Sequence, residues 1–201
     1  MHIYLIRHTT PDVPKGTCYG QTDLDVTDTF AEEVNGIRPY ISDTIETVYS
    51  SPLQRCKKLA HALFPSKEII TKDDLMELNC GSWEMQLWDA IPKEEMDLWK
   101  NDFINVIVPE GESYVQLHDR VIKSFEEIKA AGKTAAIVAH GGVLRSIVAY
   151  LTQTPLKESF DVFSFNYGCV IKLNVHSEPF SHEAIYNISQ GGKEWHRPTN
   201  F

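Results

Sequence analysis

An apolar run from His2 to Ile6 opens the chain and predicts a buried strand, because a half-buried strand would alternate with polar residues. The stretch that follows, through Thr22, is studded with Thr, Pro and Gly and cannot continue a regular element, so this strand delivers Arg7 and His8 into a loop. Helical spacing covers Thr29 to Ser42, a second strand Thr44 to Tyr49, and a second helix Pro52 to Leu63, with proline in its first turn. A short strand near Ile69 and Ile70 leads to a tryptophan-rich middle containing Trp83, Trp88 and Trp99. A third helix then runs from Ser113, a favourable N-cap, to Ala131, where Gly132 stops it. Thr134 to Ala139 is again a continuous strand-like run; it meets His140-Gly141-Gly142 and a helical segment, Val143 to Leu151. The alternation from Phe160 to Ile188 predicts one or two further strands. Repeated strand-loop-helix units without a linker or internal repeat predict one α/β domain over 1–201 with a largely parallel sheet.

Sheets of that kind bind ligands at the carboxyl ends of their strands. Three predicted strand ends here carry Arg7-His8, the Ser51 to Arg55 segment, and His140, so residues far apart in sequence converge on one cleft. Guanidinium groups pair phosphate oxygens bidentately and stay charged at any working pH. The helix starting at Pro52 and the Gly141-Gly142 turn offer backbone N–H donors at positive dipole ends. A phosphate pocket built this way needs no metal. Each piece has a plainer reading, since an isolated Arg-His pair is usually a surface pair and a His-Gly-Gly triplet usually a turn; the combination carries the signal.

Composition narrows the partners. The 201 residues, 42% of them hydrophobic, suffice for a single core. A net charge of −9 repels nucleic-acid backbones and anionic membranes, so an anionic ligand must be held locally. No apolar run is long enough to span a bilayer, and the expected location is the cytoplasm. Cys18, Cys56, Cys80 and Cys169 form no CxxC pair and read as reduced, partly buried thiols. His2, His61, His118, His176, His182 and His196 lack metal-ligand spacing, and the sequon Asn187-Ile188-Ser189 reads as chance. No cofactor and no metal is expected. The expected partner is a small phosphorylated metabolite, with a homodimer as the base-rate assembly.

These motifs together resemble the histidine phosphatase superfamily, also called phosphoglycerate mutase-like, over nearly the whole chain. LIRH at 5–8 resembles its N-terminal signature, SSPLQRC at 50–56 its helix start, and AHGGVLR at 139–145 its second-histidine motif. ELNCGSWE at 77–84 and PEGES at 109–113 resemble its intervening segments. The resemblance implies a three-layer sandwich and a phosphomonoesterase in which His8 attacks phosphorus. It implies that Arg7, Arg55 and His140 hold phosphoryl oxygens, that Gly141 adds a contact, and that Glu77 protonates the leaving group. Glu84 would buttress a loop and Glu112 the helix start. Where the family has Gly-Glu after its histidine, Thr9-Thr10 stands here, and a threonine hydroxyl is the group available to replace the missing contacts. Residues 16–24, GTCYGQTDL, resemble the loop of α-ribazole phosphatases, which implies α-ribazole 5′-phosphate as substrate, a place in cobalamin biosynthesis, and substrate contacts from Gln21 and Thr22. The alternatives are a broad-specificity sugar-phosphate or nucleotide phosphatase, a small phosphoglycerate mutase, and, outside catalysis, a phospholigand-binding module.

Overall fold

The computed structural model of the protein describes residues 1–175 and 180–188; His176, His196 and Ser189 of the sequon lie outside them. Strands β1 (His2–Arg7), β2 (Thr47–Ser50), β3 (Ile69–Thr71), β4 (Ala135–Ala139), β5 (Val170–Asn174) and β6 (Ser181–Tyr186) form one sheet in the order β3-β2-β4-β1-β5-β6. The first four are mutually parallel, and β5 and β6 are antiparallel additions at one side.

Both faces of the central strands are covered, which is why they read as continuous apolar runs rather than alternating ones. Ile3, Leu5, Ala135 and Ile137 point to one face and pack under helices α4 (Tyr114–Ala130) and α5 (Gly141–Thr152). Tyr4, Ile6, Ala136 and Val138 point to the other and pack on α1 (Phe30–Ile37) and α2 (Gln54–Leu63). Each fully buried aliphatic side chain contributes about 1.5–3 kcal/mol of transfer free energy. The three-layer expectation therefore holds, with a mixed rather than wholly parallel sheet.

Several boundaries differ for identifiable reasons. The first helix stops at Ile37 and tightens into a turn at Arg38–Tyr40, because Pro39 cannot donate to a continuing helix. The second begins at Gln54, with Pro52 and Leu53 still outside it. Ser113 does cap α4, in a reciprocal pair with Gln116, and Gly132 follows with φ +68°. Two short helices went unread. Helix α3 (Lys93–Asn101) buries only Met96, and α6 (Ser159–Val162) is a single turn, so neither leaves enough periodicity to detect. A third cluster, of Cys18, Cys80, Trp83, Ile91, Met96 and Val108, packs the tryptophan-rich middle over the strand ends. All four cysteines are buried thiols outside any disulfide.

Candidate active site

Register fixes where the functional groups emerge. Arg7 pairs with Ala139 and Ser50 with Val138, so β1, β2 and β4 end together and release His8, Ser51 and His140 along one edge. Beyond these pairs the backbone is still tied, with the His8 N–H donating to Ala139 O at 3.0 Å and the Ser51 N–H to Val138 O at 3.0 Å.

The His8 tautomer follows from one contact. Nδ1 lies 2.6 Å from the carbonyl oxygen of Thr9, which can only accept, so Nδ1 carries the hydrogen and Nε2 is left with its lone pair. The ring meets His140 edge-on at 5.1 Å between centroids and Tyr167 at 5.4 Å. His140 has the opposite tautomer. Its Nδ1 faces Arg55 Nη2 at 3.3 Å and must accept, so Nε2 carries the hydrogen and donates to Ser51 Oγ at 2.8 Å. Burial, then the positive charge of Arg55, holds its pKa well below the usual imidazole value. Burial also pushes the neighbouring Cys56 thiol up to about 12, so it does not compete as a nucleophile.

Of the other expected residues, Arg7, Glu77 and Gly141 line a cleft of about 180 Å³ together with His8. Arg7 donates to Phe165 O and lies 4.1 Å over the Tyr167 ring. Arg55 and His140 are 0% exposed and do not line this cleft, although the His140 ring touches that of His8. Arg55 donates to Thr22 O at 2.8 Å and Gly20 O at 2.6 Å. The Glu77 carboxylate is oriented by two backbone amides, Leu78 N–H to Oε1 at 2.9 Å and Gly142 N–H to Oε2 at 3.1 Å. Of the two amides in the Gly141-Gly142 turn, that of Gly142 thus serves Glu77, while Gly141 stays on the cleft wall. Likewise, the first amide of α2, on Gln54, donates to Asp23 at 2.6 Å.

The loop residues turn inward. Gln21 Nε2 donates to Glu77 O at 3.0 Å, and the Thr22 hydroxyl to Glu84 Oε2 at 2.6 Å, so both groups are spent on tying the 16–24 loop to the acid segment. Glu84 buttresses as expected, also accepting the N–H groups of Gly20, Gln21 and Thr22. The close approach leaves no room for a side chain at Gly20, whose Cβ would lie 1.7 Å from Leu78 O. Thr10 gives its hydroxyl and N–H to Glu33 on α1 rather than to the cleft. Glu112 does not serve the start of α4; it pairs with Arg120 and accepts from Asn79 N–H.

Sequence reasoning missed three contributors. Arg120 donates to the carbonyls of Asp74, Met76 and Glu77 and so fixes the acid segment. Arg145 enters the cleft from α5. Most of the remaining wall is aromatic, from Trp88, Trp99, Phe103, Tyr114, Phe160 and Phe165, with Tyr19 and Tyr167 hydrogen-bonded hydroxyl to hydroxyl at 2.6 Å beside them. Only the tryptophan enrichment hinted at this surface.

Comparison with known proteins follows the same lines. The chain is 31% identical over 163 residues to a metal-independent phosphoserine phosphatase of Arabidopsis thaliana, covering 75% of this chain and 68% of the relative. The α-ribazole phosphatase of Shigella flexneri superposes with a TM-score of 0.82 at 22% identity, over 92% of this chain and 95% of that one. A mycobacterial glucosyl-3-phosphoglycerate phosphatase superposes at 0.77 and 19% identity, over 94% and 99% of the two chains. Both structural likenesses establish the fold. The family model described as histidine phosphatase superfamily (branch 1) matches residues 3–188, and with the paired histidines and guanidinium groups at the strand ends it establishes that the chain belongs to that superfamily.

Proposed function

We propose that this phosphomonoesterase acts through a phosphohistidine on His8 and that its substrate carries a flat, apolar ring on the alcohol side, with α-ribazole 5′-phosphate as the best fit. The observation that carries the substrate reading is the cleft wall. Beyond Arg7, His8 and Glu77, six aromatic side chains, Trp88, Trp99, Phe103, Tyr114, Phe160 and Phe165, face the same space. A benzimidazole riboside gains from such a surface by burial and offset stacking, whereas the ammonium and carboxylate of phosphoserine would be stripped of water against it.

In the proposed reaction, the Nε2 lone pair of His8 forms the N–P bond as the P–O bond to the alcohol breaks. Glu77, fixed by its two amides at the cleft wall, delivers a proton to the departing oxygen. Water then attacks phosphorus, gives its proton back to Glu77, and the N–P bond breaks to release inorganic phosphate. Transferred phosphoryl groups spread charge over three oxygens, so Arg7 at the cleft, with His140 against the His8 ring and Arg55 against His140, supply the stabilisation. Thr9 O keeps the nucleophile in its productive tautomer throughout.

Two measurements test this. Labelled substrate quenched without acid should leave phosphate on His8, and His8→Ala should abolish both labelling and turnover; a variant that still turns over would refute the nucleophile. A panel of α-ribazole 5′-phosphate, phosphoserine and 3-phosphoglycerate, ranked by kcat/KM, should place the ring-bearing ester first by about 100-fold, the scale of a fully buried apolar contact. Preference for phosphoserine, or isomerisation of 3-phosphoglycerate, would overturn the substrate reading.

A further inference from the structure

We propose that Arg145 is a positioning residue that sets leaving-group selectivity by clamping the 159–165 segment against the cleft; this rests on the ring-bearing substrate reading above. Arg145 projects from α5 less than two turns beyond His140, and it is only 3% exposed among buried neighbours Leu144, Ser146 and Val148. An aliphatic side chain would pack there without the desolvation that a buried guanidinium must offset. What an aliphatic side chain could not do is reach across. The guanidinium donates to the carbonyls of Ser159 and, at 2.8 Å, Phe163, and its central carbon lies 4.3 Å from the Phe160 ring centroid and 5.7 Å from that of Phe165.

The segment it grips cannot order itself. Helix α6 spans Ser159–Val162, far shorter than an isolated helix requires. Yet this stretch supplies Phe160 and Phe165 to the wall of the cleft and, in the carbonyl of Phe165, the acceptor for Arg7. One side chain therefore sets the distance between the aromatic wall and the phosphate-facing guanidinium. Both carbonyls receive the one Nη1, which a lysine ammonium could imitate, but lysine could not lie flat on Phe160.

The test compares benzyl phosphate with ethyl phosphate, whose alcohols are of similar acidity, on the wild-type enzyme, Arg145→Lys, Arg145→Met and Phe160→Leu. In Arg145→Met, kcat/KM for benzyl phosphate should fall about 10- to 100-fold, chiefly through KM, because small displacements of a positioning wall cost that much. The same variant should lose clearly less on ethyl phosphate, at most about threefold through the Arg7 acceptor at Phe165, since ethyl phosphate makes no use of the ring wall and His8 and Glu77 keep their own contacts. Arg145→Lys should fall between. Phe160→Leu removes the stacked ring from a partly exposed site and should lower the benzyl-to-ethyl ratio even if Arg145→Met melts early. Retention of the wild-type ratio in a folded Arg145→Met, or in Phe160→Leu, overturns the proposal, as does an equal loss on both esters. A wild-type enzyme that does not prefer benzyl over ethyl phosphate overturns the substrate reading beneath it, and the proposal with it.

Discussion

At the scale of the residue, the buried imidazole of His140 makes the fold sensitive to acid. In the folded chain, burial and the charges of Arg55 and Arg7 oppose its protonation, while an unfolded histidine titrates near 6.5. Below that value the unfolded state binds the additional proton, so stability is present above about pH 6.5 and is lost as pH falls toward the depressed folded pKa. Urea unfolding at pH 7.5 and pH 5.5 should show stability falling by up to about 1.4 kcal/mol per pH unit for this proton, and His140→Gln should flatten that dependence. His118, whose pKa burial also lowers, leaves a smaller slope in the variant. Arg7, His8 and His140 were legible because each sits at a strand end, where a polar residue after an apolar run has few structural explanations, and Arg55 because it follows the end of β2 within the first turn of α2. Arg145 and Arg120 were not, because an arginine within a helix reads by default as solvent-facing, and only the fold shows that their partners are carbonyls from distant segments.

At the scale of the element, the start of α5 is shaped by Glu77. A Cβ on Gly142 would lie 2.3 Å from Glu77 Oε1 and 3.0 Å from Leu117 Cδ2. Alanine is nonetheless the better helix former by about 1 kcal/mol, so Gly142→Ala should leave α5 intact while pushing the acid aside. Turnover is expected to drop about 100-fold with melting temperature changed by only a few degrees, read by steady-state kinetics beside thermal unfolding. Glu84 serves the opposite wall. Its carboxylate gathers the N–H groups of Gly20, Gln21 and Thr22, and the carbonyls of Gly20 and Thr22 in turn receive Arg55. Glu84→Gln turns one acceptor into a donor among these amides and should destabilise by about 2–3 kcal/mol, the range for charge-assisted hydrogen bonds, seen as a drop of roughly 5–10 °C in Tm. The central strands and the long helices α4 and α5 were readable from their apolar spacing. The inward turn of Gln21 and Thr22 was not, because a polar loop looks the same whether its side chains face a ligand or a buttressing carboxylate.

At the scale of the whole molecule, the net charge of −9 and the cationic cleft oppose each other. A dianionic ester is repelled at range and captured only at the strand ends, so raising ionic strength toward 0.15 M, where the Debye length is about 8 Å, should speed capture until salt begins to weaken the local pairing. Stopped-flow association measured against KCl should therefore pass through a maximum, and a steady fall from the lowest salt upward would contradict it. The sheet order has a consequence for how the chain is made. Strand β1, which presents the nucleophile, lies between β4 and β5, whose residues leave the ribosome more than a hundred positions later. At about 5–20 residues per second, the first strand waits many seconds with Ile3, Leu5 and Ile6 unpaired before either neighbour exists. A nascent chain of this protein therefore presents a sticky, catalytically silent edge for most of its synthesis, and becomes an enzyme only when its late strands close on its earliest one.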